Sequence, residues 1–263
     1  ASDHYSLFRD DFAMASSLGH NAHRLSIEWS RIEPTKGAWD EQEIAHYRAV
    51  LEDLRAKHIE PFVTLHHFTS PVWFMDGGGW ESSDASEHFS RFVQKVAEEF
   101  GDLVEYWITF NEPNVYAAHG WLFAKWTPQK RDSIAFLKVT WHLAASHKQA
   151  YKILHKVCND PQVGIGQSII GYYPSRAHYP LDRLLSILTR WLWNYLFLDI
   201  TKKYVDFIGV QYYFSQGKKF SLFPPFIGSG NTKNLPVSDM SWSIDPDAFG
   251  KELKRVYARY GIP

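Results

Sequence analysis

Cysteine is nearly absent from this sequence: Cys158 is the only one among 263 residues. A lone cysteine forms no internal disulfide, so a reducing, cytoplasmic compartment is expected and a Cys-rich zinc site is excluded. Excess charge of either sign is also missing. Twenty-eight basic against 29 acidic residues leave a net charge of −1, so nothing in the overall balance draws the chain onto nucleic acid or an anionic membrane. Long apolar runs are lacking too. The most apolar segment, Leu184 to Ile200, is broken by Arg190, Asn194 and Asp199 and is too short and polar to span a bilayer. Residues Ala1 to His4 show neither the charge nor the apolar stretch of a signal peptide. What the chain has in quantity is aromatic side chains, 16% of residues with 11 Trp and 14 Tyr. Rings with polar tips line clefts for flat or amphipathic ligands, sugars included, although a large core also uses them.

Helical and strand patterns alternate along the whole length. Phe8 to Leu18 reads as a helix stopped by Gly19. Asn21 to Trp29 reads as a strand, because Leu25, Ile27 and Trp29 fall at period two. Asp40 with Glu43, and Asp84 with Glu87, form capping-box patterns that open helices to about Lys57 and over Phe89 to Phe100. Ile59 to Phe68 and Tyr106 to Phe110 are strands. From Ile134 a helix carries Phe136, Val139, Leu143, His147, Ala150, Leu154 and Val157 on one stripe. Val163 to Ile170 is a strand, Leu181 to Lys203 a helix, Val205 to Tyr213 a strand. Phe223 to Asp239 reads as a long loop, and Asp245-Pro246 opens a helix to Tyr260. The final residues, Tyr260 to Pro263, resemble the approach to a further strand.

Strand–helix alternation without a break in composition predicts one α/β domain over residues 1–263, a parallel sheet covered by helices. An open dinucleotide-binding sheet needs a Gly-x-Gly-x-x-Gly turn after its first strand, and none occurs. The (β/α)8 TIM barrel is therefore preferred, in an incomplete form, because five strands are legible where eight are required.

In such barrels chemistry sits at the C-terminal strand ends. There the sequence places Glu28-Trp29-Ser30-Arg31 with Arg24 inside the strand, then His66-His67-Phe68, Asn111-Glu112-Pro113 and Gln211-Tyr212-Tyr213. Each pairs a polar group with an aromatic, which suits a polyhydroxylated ligand. Glu112, flanked by Trp107, Phe110 and Trp121, is a candidate general acid, its carboxyl open to desolvation; an ordinary solvated strand-end Glu fits the position equally well. His66 and His67 point to opposite strand faces and so cannot easily share a metal ion. Arg24 and Glu28 lie on one face and read as a buried ion pair. His142, His147 and His155 read as packing or surface residues, and Cys158 as inert. No Gly-x-Ser-x-Gly elbow or phosphate loop supports a serine or nucleotide hydrolase.

Four blocks carry a resemblance: Arg24 to Ile32, Thr64 to Phe68, Thr109 to Pro113 and Asp206 to Tyr213. In this order and spacing they resemble glycoside hydrolase family 1, the retaining β-glucosidases, β-galactosidases and their 6-phospho relatives. The resemblance implies that Glu112 is the acid/base, Asn111 the partner of the sugar 2-hydroxyl, and His67 a holder of a glycone hydroxyl. It implies that Arg24 sits against the catalytic carboxylates and that Tyr213 positions the nucleophile. Trp121 is expected on the leaving-group side. Gln211 stands where the family usually has Asn, Phe68 replaces a common Trp, and Thr69-Ser70 replace Asp-Leu. Asn111 and Glu112 can act together only if the strand bends where Pro113 ends its ladder.

The resemblance further implies an opening strand with a sugar-binding Gln, a strand past Pro263 bearing the nucleophile in an Ile-Thr-Glu-Asn-Gly motif, and a last strand that selects the sugar. Residues 1–263 thus read as part of such a domain, with open sheet edges. The implied activity is hydrolysis of terminal β-D-glycosidic bonds, with a β-glycoside substrate and no cofactor or metal, since both steps use carboxylates and water. The alternative is a non-catalytic homologue with at most sugar-binding capacity. A cellulase-like barrel also carries Asn-Glu-Pro, but the other three blocks disfavour it.

Overall fold

The computed structural model describes residues 3–223, 227–230 and 234–263. They fall into two compact units, Ala1–Gly166 with Lys203–Phe207, and Gln167–Lys202 with Ile208–Pro263.

The first unit runs through α1 (His4–Ser17), β1 (Ala22–Ser26), α2 (Trp29–Ile32), α3 (Glu41–Ala56), β2 (Glu60–His66), α4 (Val72–Asp76), α5 (Ala85–Phe100) and β3 (Tyr106–Asn111). It continues with α6 (Pro113–Ala117), a π turn at Ala118–Leu122, α7 (Ser133–Val157) and the start of β4 (Gln162–Pro174). β1, β2, β3 and β4 pair parallel in sequence order. Parallel neighbours joined through helices are the repeat of an incomplete (β/α)8 barrel.

Local chemistry explains the helix starts. Asp40 Oδ1 accepts from the Gln42 and Glu43 backbone N–H groups, and Asp132 Oδ1 from Ile134 and Ala135, meeting donors that a helix leaves orphaned. The capping boxes are only half present. Glu43 reaches Arg31 and Tyr5 instead of turning back, and Asp84 makes no side-chain cap, bonding His88 one turn on. β1 is shorter than its period-two pattern. It stops at Ser26, because Glu28 caps the helical turn that Trp29 begins.

Two apolar layers hold this unit. Phe8 and Phe12 of α1 pack on Val50, Leu54 and Ile59. Trp29 stands among Trp73, Phe74, Trp80, Phe89 and Phe92, with ring centroids 4.8–6.5 Å away. Glycine is obligatory at 164, where an added Cβ would lie 2.6 Å from the Phe207 carbonyl oxygen.

His147, fully buried on α7, bridges Thr109 Oγ1 (2.7 Å) and the Tyr204 carbonyl (2.7 Å). Burial pushes its pKa down to about 4. A group whose folded pKa lies below its unfolded value of about 6.5 is protonated first in the unfolded chain. Its stabilisation is therefore complete above pH 6.5 and is lost as pH falls toward 4. The expected slope is up to ~1.4 kcal/mol per pH unit. Urea unfolding between pH 4.5 and 7 should show this slope diminished in His147→Gln; an identical pH dependence in that variant refutes the assignment.

The second unit holds the rest of β4, α8 (Pro180–Arg190), a π turn at Trp191–Tyr195, α9 (Leu196–Thr201), most of β5 (Phe207–Phe220), β6 (Ile227–Ser229) and α10 (Pro246–Tyr260). The single helix expected from Leu181 to Lys203 is thus interrupted. Its π turn aims Asn194 inward, where Oδ1 accepts from Ile170 N–H (3.1 Å) and Nδ2 donates to Ile170 C=O (3.0 Å), a side chain standing in for a strand partner. Part of the expected long loop is β6, antiparallel to β5 through Lys218↔Ser229 to Phe220↔Ile227. That gives six strands among the described residues rather than five; positions 224–226 and 231–233 of the loop lie outside them. Asp245 Oδ1 caps α10 through Ala248 N–H, as its spacing predicts, and Gly261 closes it at φ 63°. Ile208 N–H donates to Pro263 C=O (2.9 Å), so the last residue runs alongside β5. No helix among the described residues is long and apolar enough to cross a membrane.

Candidate active site

The C-terminal ends of β1, β2 and β3 bring one constellation together. Arg24 on β1 donates from Nε to Thr64 Oγ1 on β2 (3.0 Å) and from Nη2 to Asn111 Oδ1 on β3 (2.6 Å). One guanidinium fork therefore staples three strands, a task for which its fixed planar geometry suits arginine better than lysine. Accepting from Arg24 also fixes which way the Asn111 amide faces.

Glu112 follows at once, 6% exposed. Its backbone is left-handed, φ 44° and ψ 57°, next to a register shift between Ile108 and Asn111. Its N–H donates to Gly166 C=O (2.6 Å), and its C=O accepts from Tyr116 N–H (3.0 Å). The bend that joint use of Asn111 and Glu112 requires is therefore present. It resides in Glu112 itself, with Pro113 as the first residue of α6. A non-glycine residue here carries strain on the order of 1–2 kcal/mol, of the kind that persists where function demands a geometry.

The two histidines divide as strand geometry predicts. His66 is buried against Trp80, Phe110 and Tyr116, and its Nε2 lies 3.2 Å from Ser70 Oγ. Burial, helped by neighbouring His67, pushes its pKa to about 3. His67 is exposed, with Nδ1 3.0 Å from Ser26 Oγ. Partial burial and then Arg24 lower its pKa while Glu28 opposes them. The balance favours the neutral imidazole, whose Nδ1 is the nitrogen at Ser26.

Glu28 is engaged otherwise than expected. Its carboxylate accepts from Ser30 Oγ (2.7 Å) and from Thr69 Oγ1 (2.6 Å), tying the two strand-end loops together. Beside it opens a cavity of about 410 Å³ lined by Phe68, Thr69, Ser70, Met75, Tyr116, Trp126 and Thr127. Trp121, expected on the leaving-group side, does not line this cavity. The π turn swings this ring inward, 1% exposed, with Nε1 donating to Glu81 Oε1 (2.7 Å). Trp126, 4.8 Å from the Phe68 ring, is the tryptophan at the cavity. In the second unit Tyr213, 46% exposed, donates its hydroxyl to Gln211 Oε1 (3.1 Å). Among the described residues no three His, Cys, Asp or Glu side chains converge as metal ligands.

A buried strand-end carboxyl, a neutral histidine and an amide oriented by arginine suit proton transfer to a hydroxylated ligand. The profile of glycosyl hydrolase family 1 matches residues 1–200. The chain belongs to glycosyl hydrolase family 1. β-Glucosidase A of Thermotoga maritima is 29% identical over 295 residues, spanning 100% of this chain and 66% of that protein. Aryl-phospho-β-D-glucosidase BglC of Bacillus subtilis is 27% identical with the same two coverages. Among solved structures, a β-glycosidase from Pyrococcus horikoshii superposes with a TM-score of 0.90 at 35% identity, covering 99% of this chain and 64% of its own. This family 1 chain therefore spans about two thirds of the length of the relatives it matches.

Proposed function

We propose that the complete protein hydrolyses terminal β-D-glycosidic bonds with retention of configuration. Glu112 protonates the leaving oxygen and then activates water. Asn111 holds the sugar 2-hydroxyl, His67 donates to a glycone hydroxyl through Nε2, and Arg24 keeps Asn111 in place. Gln211 and Tyr213 serve the nucleophile side, and the nucleophile is a glutamate downstream of Pro263, about 5–5.5 Å from Glu112 in the retaining geometry. The observation that carries this reading is Glu112: a buried carboxyl in a left-handed backbone beside an Asn111 amide already oriented by Arg24. Cys158, alone and with its thiol pushed up to about 11 by burial, suits a cytoplasmic setting.

The test follows an aryl β-glucoside and its 6-phospho counterpart with the complete protein, reading the first-formed anomer by proton NMR. The β-anomer is expected from at least one of them. Turnover of neither, or release of the α-anomer first, overturns the proposal.

A further inference from the structure

Two side chains at the end of β1 tie down two of the three residues that follow β2. Ser26 Oγ lies 3.0 Å from His67 Nδ1, and Glu28 Oε2 accepts from Thr69 Oγ1 (2.6 Å). Phe68 stands between these ties with a left-handed backbone, φ 72°. That conformation is unfavourable for a bulky residue and persists only where the surroundings hold it. It sets the Phe68 ring 4.8 Å from Trp126 and 5.1 Å from His67, between ring centroids.

Glu28 is well anchored for this task. Its N–H donates to Tyr47 Oη (3.1 Å) on α3, and its carbonyl accepts from the Arg31 (3.0 Å) and Ile32 (3.2 Å) N–H groups. Trp29 beside it is rooted in the buried aromatic cluster. Within the carboxylate, Oε1 accepts from the Ser30 hydroxyl (2.7 Å) and backbone N–H (3.3 Å). One oxygen thus holds the end of β1 and the other reaches the next loop. A carboxylate accepting from hydroxyls at these distances makes short, charge-assisted bonds of defined direction. Thr69 is exposed and Glu28 half-buried, so water can solvate either group once the tie is cut. What a cut would lose is the placement of residues 67–69, with the fold kept.

We infer that Glu28 is a positioning residue, acting through Thr69 to hold His67 and Phe68 in place for the sugar; this rests on the activity proposed above. In the complete protein, Glu28→Met and Thr69→Val are each expected to lower kcat/KM for an aryl β-glucoside about ten- to hundredfold. The loss should lie in KM, because a loosened contact weakens ground and transition states alike, whereas a fold defect lowers kcat at constant KM. Glu28→Gln keeps both ties, its amide N–H donating to Thr69 Oγ1, and should stay within about threefold of the parent, as should Thr69→Ser. The double variant Glu28→Met/Thr69→Val should be no slower than Glu28→Met alone. A further loss there means that Thr69 meets the ligand itself, and equal impairment of Glu28→Gln and Glu28→Met means that the charge acts; either overturns the inference. So do unchanged kinetics in Glu28→Met and Thr69→Val, or a loss confined to kcat. Crystal structures of the parent and of Glu28→Met read the geometry without turnover. Phe68 should abandon its left-handed φ and its ring should leave Trp126; a Phe68 that stays put overturns the inference. A parent that hydrolyses no glycoside strikes the proposed activity instead, and the two structures then decide the clamp.

Discussion

Replacing Glu112 by glutamine in the complete protein is expected to lower turnover of an alkyl β-glucoside by about 10²–10⁴-fold, the usual worth of a positioned general acid–base. An alkoxide leaves poorly, so under the proposed mechanism its departure needs a proton from Glu112. A dinitrophenyl glucoside needs no such help. With that substrate the variant should release dinitrophenolate in a fast burst and then stall, because water attacking the glycosyl-enzyme still lacks its base. Azide needs no deprotonation, and adding it should restore steady turnover and yield the β-glycosyl azide. Glutamine keeps the shape and the left-handed backbone, so thermal stability should move little. Parental turnover of the alkyl glucoside in this variant would remove Glu112 from the mechanism.

The second large effect concerns stability. Glu33 has a fully buried carboxylate that accepts from Trp29 Nε1 (2.9 Å), Gly37 N–H (2.7 Å) and the Arg91 guanidinium. Its own carbonyl accepts from Trp73 Nε1 (2.9 Å). The side chain thus anchors two of the tryptophan-cluster segments and the loop after α2. Glu33→Ala removes both accepting oxygens and takes the partner from three donors at once. Arg91 is 37% exposed and can turn to water, so the loss comes from the buried Trp29 and Gly37 donors, roughly 2–4 kcal/mol for Glu33→Ala and about 1–3 kcal/mol for Glu33→Gln, which keeps one acceptor oxygen. Chemical denaturation of the complete protein measures both. A loss below about 1 kcal/mol for Glu33→Ala would mean that water replaces the carboxylate there.

The order of strands and helices was legible because period two and period 3.6 are imposed by burial, and burial dominates in a sheet covered by helices. The strand ends were legible for the same reason, which is why Arg24, His67, Asn111 and Glu112 could be named from residues and family resemblance. Side-chain choices among several available partners were not. Glu43 could turn back to its helix start or reach Arg31, and only the placement of α1 and α2 decides. Arg24 and Glu28 share a strand face, yet Arg24 turns to Thr64 and Asn111 while Glu28 turns to Ser30 and Thr69. Both π turns were also invisible, since a single added residue leaves the apolar spacing almost unchanged while rotating everything after it. β6 was hidden by composition, because Gly228, Ser229 and Gly230 read as loop.

The left-handed conformation at residue 112 also sets the direction in which this sequence would drift. Glycine and asparagine occupy that region at little or no strain, whereas glutamate does not. Under the role proposed for Glu112, a copy released from selection for turnover would gain stability by exchanging this residue for glycine or asparagine. Surveying position 112 among relatives would separate working descendants from relics before any assay: glutamate retained against strain marks the former, and glycine or asparagine in an otherwise intact barrel marks the latter.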